Sequence, residues 1–171
     1  MHQAQTGVVS PDVVAKACEP SAEKALCVSV LKSQASDVND LKQAAVVAIQ
    51  AASGEAVTTS EMIKAARKRE ENKEVVEDGI EEETLADCAM SYIYLVEILA
   101  NASGALSAGP GTNVNVKDKV TEAVTAAETC EKSIAGGRKS PMVEEVAKKN
   151  ENVRKLCSNA LSVYNVYASG K

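Results

Sequence analysis

Apolar residues return along this chain at steps of three and four, the spacing that lines one face of an α-helix. Leu85, Cys88, Tyr92, Leu95 and Leu99 form one such stripe, and Val116, Val120, Ala123, Ala127, Cys130 and Ile134 form a second. A third joins Val146, Val153, Cys157, Ala160, Tyr164 and Tyr167, with Asn150 as its one polar seam position. Earlier, Val38, Leu41, Ala45, Ala48 and Ala52 repeat in the same way, and Met62 and Ala66 return to a similar face. Four long amphipathic helices are predicted. The first runs from Ser36 towards Arg69, with a bend expected where Gly54 and Thr58-Thr59 weaken it. The second opens on Glu81-Glu82-Glu83, acids that suit a helix N-terminus, and a linker holding Gly104, Gly109, Pro110 and Gly111 follows it. Gly136-Gly137 ends the third, and Ser140-Pro141 starts the fourth with a cap and a first-turn proline.

Two shorter helices precede these. Ser10 caps the first, which places Pro11 at its first position and ends at Cys18; Glu19-Pro20 breaks the chain, and the second covers Ser21 to Ser33. The expectation is an all-α single domain over residues 1–171: an N-terminal helical hairpin over 10–33 and an antiparallel four-helix bundle over 36–168.

Composition supports helix and narrows function. The 171 residues are 45% hydrophobic yet contain no Trp and no Phe, so Ala, Val, Leu and Ile must build the core. The net charge of −5 and the scarcity of aromatic residues argue against nucleic-acid binding. One basic cluster, Lys64, Arg67, Lys68 and Arg69, is followed at once by Glu70 and Glu71 and suits a helix C-terminus. No apolar run approaches the roughly 20 residues of a membrane span, so no membrane role is expected. The polar start, Met1 to Gly7, lacks a signal-peptide pattern; a cytosolic protein or a mature secreted one with an initiator Met begins this way.

Five cysteines bear on that choice. Cys18 and Cys27 flank the break at Glu19-Pro20, so a bridge between them closes the hairpin. Cys88 and Cys130 sit on the seams of different long helices that an antiparallel bundle brings into register. On a chain-entropy account the two bridges restrict the unfolded chain by about 3 and about 4 kcal/mol. Cys157 then remains a buried free thiol. Five reduced core cysteines in a cytosolic protein are the alternative, and two sensible pairs favour an oxidising compartment. No metal site is expected, because C-x-x-C pairs are missing and the sole histidine is His2. No cofactor and no catalytic residue are expected either, since a catalytic Cys would lack a His partner.

The order and spacing of several short pieces resemble the plant invertase and pectin methylesterase inhibitor family, from Val13 to Ala168. These pieces are the Cys18–Cys27 hairpin with Leu26-Cys27, Asp87-Cys88 followed by Tyr92, Glu128-Thr129-Cys130-Glu131, and Leu156-Cys157-Ser158-Asn159-Ala160-Leu161. The resemblance implies a secreted apoplastic or cell-wall protein, a bundle with an N-terminal hairpin, cysteines paired first with second and third with fourth, and a frequent free fifth. It also implies a non-catalytic, one-to-one inhibitor of a plant carbohydrate-active enzyme.

Two targets follow from the resemblance. Pectin methylesterase inhibitors lay a face of the second and third long helices over the pectin-binding cleft; the matching positions here are Tyr94, Glu97, Thr129 and Lys132. Glu97 and Thr129 fit the polar or acidic character expected there, while Tyr94 and Lys132 depart from it. Invertase inhibitors insert a Pro-Lys-Phe loop ahead of the third long helix, and here Asn113, Val114 and Asn115 stand in its place. The Ser158-Asn159-Ala160-Leu161 run resembles the methylesterase group; Cys88-Ala89-Met90-Ser91-Tyr92 and Lys139-Ser140-Pro141 resemble the invertase group. Pectin methylesterase is the favoured partner and acid invertase the alternative.

Other classes fit less well. A lipid- or ligand-binding bundle suits apolar seams, but Ala/Val stripes favour close helix packing. A structural coiled coil needs neither disulfides nor a hairpin. For an enzyme, acids such as Glu144-Glu145 read as solvated charge. Asn101-Ala102-Ser103 is an N-glycosylation sequon. The hairpin is compatible with a monomer or with a dimer that exchanges it.

Overall fold

A computed structural model describes residues 8–33, 36–71, 80–109, 111 and 113–170. Helices follow in the order α1 (Pro11–Cys18), α2 (Lys24–Ser33), α3 (Leu41–Glu71), α4 (Ile80–Ala108), α5 (Val116–Gly136) and α6 (Pro141–Ala168). Caps set several of these boundaries. Ser10 Oγ accepts from Val13 N, Ser140 Oγ from Val143 N, and Asn115 Oδ1 from Asp118 N, with Pro11 and Pro141 in the first turns of α1 and α6. Lys68 and Arg69 occupy the last turn of α3, where cations meet the negative end of its dipole.

The start of the first long helix differs from the sequence expectation. It begins at Leu41 rather than Ser36, because Asp40 caps it: Asp40 Oδ1 accepts from Gln43 N at 2.8 Å, and Gln43 Oε1 accepts from Asn39 N at 2.7 Å. Val38 is therefore not a helix-seam residue. It pairs with the N-terminal arm in an isolated parallel bridge, donating to Val8 O and accepting from Ser10 N, both at 2.8 Å. The second short helix starts at Lys24, not Ser21, since Ser21 Oγ accepts from Glu23 N in a local turn. Helical structure in α3 is uninterrupted through Gly54. Gly104 belongs to α4, and the turn after it begins at Gly109, whose φ of 86° favours a residue without Cβ. Met1–Gly7, with His2, and Pro110 lie outside the described residues.

The long helices form a ring in which α4 packs between α3 and α5, and α6 closes the circle against α5 and α3. Antiparallel order follows from the links. The 29 residues of α4 span about 43 Å, whereas residues 109–115 reach about 25 Å when fully extended. The chain must double back. The stripes expected on α4 and α5 are buried throughout, from Leu85 to Leu99 and from Val116 to Ile134. Small side chains let the helices approach closely, and the Cys88–Cys130 disulfide joins Cα atoms only 4.5 Å apart. Cys18–Cys27 closes the hairpin, and Cys157 is a buried free thiol.

One sequence expectation needs correction. Glu82–Ala108 is long and apolar enough to cross a membrane by length and mean hydropathy, 1.2 over its best window, and 44% of that window is buried inside the bundle. Packing against both neighbours accounts for much of this apolar character, with α3 on one side and α5 on the other.

The hairpin is not a detached unit. α1 rests on α6 and α3, and α2 on α3 and α6. Asn159 ties it down: its Oδ1 accepts a short hydrogen bond from Ser21 Oγ, and its Nδ2 donates to Glu23 O at 3.4 Å.

Candidate functional site

The groove between α4 and α5 follows from the same periodicity that makes the core. Seam positions 88, 92, 95 and 99 turn inward, which leaves Met90, Ile93 and Tyr94 on the outer surface of α4. They are 72%, 61% and 46% exposed, three of the five exposed large hydrophobic residues among those described. Between α4 and α5 lies an open concavity of about 350 Å³, lined by Ser91 and Tyr94 from α4 and by Thr121, Glu122, Thr125, Ala126 and Thr129 from α5.

Tyr94 and Thr129, singled out from the sequence, thus meet in one groove. Glu97 and Lys132 are exposed but do not line it. Glu97 lies one turn beyond Tyr94 and Lys132 one turn beyond Thr129, so antiparallel helices carry them to opposite ends. Sequence reasoning missed Ser91, Glu122, Thr121 and Thr125. The four-residue spacing of Thr121, Thr125 and Thr129 was the available signal.

Hydrogen bonding gives the groove a definite polarity. Thr121 Oγ1 donates to Lys117 O at 2.8 Å, Thr125 Oγ1 to Thr121 O at 3.2 Å, and Thr129 Oγ1 to Thr125 O at 3.0 Å. With each proton committed to its own helix, these oxygens turn only lone pairs outward. The Tyr94 phenol is held above its ordinary pKa, first by partial loss of water, then by its hydrogen bond to Glu122 and the charges of Glu122 and Glu97, against a lowering by Lys119. Lys119 Nζ lies 3.6 Å from Glu122 Oε2, too far for a hydrogen bond, and that enclosed oxygen has no hydrogen-bond partner.

The 113–115 loop is differently employed. Asn115 caps α5, and Val114 packs against the core and lines a cavity of about 410 Å³ with Leu106, Tyr164 and Tyr167. Asn113 is exposed. Asn101 is also exposed, on the α4 stripe that carries Met90, Tyr94 and Glu97. No cluster of three potential metal-ligating side chains occurs among the described residues.

Residues 12–163 match the family described as plant invertase/pectin methylesterase inhibitor. The chain belongs to this family. Solved structures agree on the fold. A mutant form A of a pectin methylesterase inhibitor from Arabidopsis superposes with a TM-score of 0.70 at 20% identity, covering 86% of this chain and 92% of that one. A pectin methylesterase inhibitor from Arabidopsis thaliana gives a TM-score of 0.63 at 18% identity, covering 91% and 96%. Among curated proteins none matches significantly. This member of the inhibitor family thus shares its helical fold with solved pectin methylesterase inhibitors.

Proposed function

We propose that this chain is a non-catalytic, proteinaceous inhibitor of pectin methylesterase, secreted to the plant cell wall, that binds one-to-one and covers the pectin-binding cleft with its α4–α5 face. The observation that carries the reading is the convergence of Tyr94 and Thr129 on one open groove, flanked by Glu97 and Lys132, in a chain of this family. Inhibition is steric: a bundle seated on the cleft keeps the polysaccharide from the enzyme's catalytic groups, and no covalent step is involved.

Acid invertase is the second reading, through Asn113–Asn115. It is disfavoured because Asn115 is committed to capping α5 and Val114 turns towards the core, which leaves Asn113 as the free side chain of the three.

The experiment is a parallel titration of the oxidised protein against a plant pectin methylesterase and an acid invertase. Stoichiometric loss of methylesterase activity alone is expected. Loss of invertase activity alone would transfer the function to the loop, and no effect on either enzyme at acidic and neutral pH would remove both readings.

A further inference from the structure

The groove between α4 and α5 offers more acceptors than donors, the Ser91 hydroxyl being a donor in its lining. The hydroxyl protons of Thr121, Thr125 and Thr129 point into their own helix, and Glu122 lies near enough to Tyr94 to act on its phenol. Glu122 is acceptor-only when ionised, and its side chain is 44% exposed. A partner seated here must bring donors to the threonine oxygens and to Glu122, or these acceptors lose water without compensation. Charge selects among donors. Glu122 and Glu97 both act on Tyr94, and the nearby cation, Lys119, is held only by a partly exposed 3.6 Å ion pair. Such pairs are weak, so a second cation can share the carboxylate. The threonine methyls and Ala126 supply an apolar wall along the same groove, suited to the alkyl stem of a long cationic side chain.

We infer that the groove receives a lysine or arginine side chain projected by the bound enzyme, its charged head on Glu122 and Tyr94 and its stem along the threonine ladder. This rests on the inhibitor reading above and adds to it the chemistry of the partner's contact residue.

The test titrates the target enzyme with the wild-type protein, Glu122→Gln and Thr125→Val, each at low and high ionic strength. Both positions lie at the surface, and melting temperatures check folding. The expected result is inhibition weakened about tenfold by Glu122→Gln, with a flatter salt dependence, and a smaller loss for Thr125→Val. If the wild type inhibits and both variants match it in affinity and salt response, the inference fails while the inhibitor reading stands. If the wild type inhibits neither pectin methylesterase nor invertase, the reading fails and takes the inference with it.

Discussion

The Tyr92 hydroxyl donates to Asn150 Oδ1 at 2.7 Å across the centre of the bundle, and Asn150 Nδ2 in turn donates to Ala127 O at 2.9 Å. Three helices, α4, α5 and α6, are thereby joined through one buried amide. Tyr92 is the largest fully buried side chain, and burial raises its pKa well beyond the ordinary tyrosine value. A satisfied polar network in an otherwise apolar core fixes the register of the helices that share it.

Asn150→Leu keeps the volume but leaves Tyr92 Oη unpaired and removes the second donor to the Ala127 carbonyl, which keeps its partner within α5. The expected cost is about 2–3 kcal/mol, read from urea midpoints, because a buried orphan group costs roughly 1–3 kcal/mol. Tyr92→Phe is expected to cost less. The double variant should lose less than the sum of the two, as coupled residues do. Additive losses would show that the two side chains do not act together.

Asn159 holds the hairpin through Ser21 and Glu23, and the neighbouring Lys155–Glu23 ion pair at 3.8 Å is solvent-exposed and adds little. Asn159→Ala should therefore speed amide exchange in residues 10–33 while the slowest-exchanging amides of α4 and α5 shift less. Uniform acceleration across the chain would mean that hairpin and bundle open as one unit.

Burial pushes the Cys157 thiol up to about 12, from an ordinary value near 9. The folded protein thus keeps a proton that the unfolded chain releases above pH 9. Stability from this group is complete below that pH and is lost as pH rises towards 12, with a limiting slope of about 1.4 kcal/mol per pH unit. Tyr92 steepens the fall above pH 10, its shift having the same sign. Denaturant midpoints should be level near pH 8 and decline above 9, and Cys157→Ala should remove the part of the decline that begins first. Native protein should also resist thiol reagents at pH 8 and yield one reactive thiol on unfolding, since the thiolate is the nucleophile.

Asn101 stands seven residues beyond Tyr94 on the same stripe of α4, a rise of about 10 Å. A glycan attached there shares the face that the proposed target covers. Protein from a glycosylating host should inhibit more weakly than the same protein after enzymatic deglycosylation, and Asn101→Gln should abolish the difference. Equal inhibition by all three preparations, with the glycan confirmed on the first, would place the contact surface elsewhere.

The helices of the bundle were legible because burial repeats with the helical period: the stripes from Leu85 and from Val116 predict both elements and the faces they bury. Ser10-Pro11 and Ser140-Pro141 mark two helix starts with local chemistry alone. Cys18 with Cys27, and Cys88 with Cys130, were legible as pairs once the helices were placed. Periodicity misled at Val38, whose spacing fits the α3 stripe. Its partner is an arm some 30 residues earlier in the chain, and the capping bonds of Asp40 and Gln43 set the helix start instead. The apolar length of Glu82–Ala108 was missed, because its few polar residues hide a stretch that packing against two neighbours enriches in apolar side chains.

The sequence by itself determined the all-α class, the helix faces and the ordered pieces that carry the family resemblance, because each depends on spacing along one chain. Tertiary structure alone decided what meets across helices. Asn150, a single polar interruption in a stripe, became a bond to Tyr92 and Ala127 only when α4, α5 and α6 were assembled. Tyr94 and Thr129 became one groove, with Glu122 between Tyr94 and Lys119, only when α4 and α5 took their antiparallel register. Hydrogen-bond partners distant in sequence carry no periodic signal. Direction and distance in space choose them, and those are set by packing.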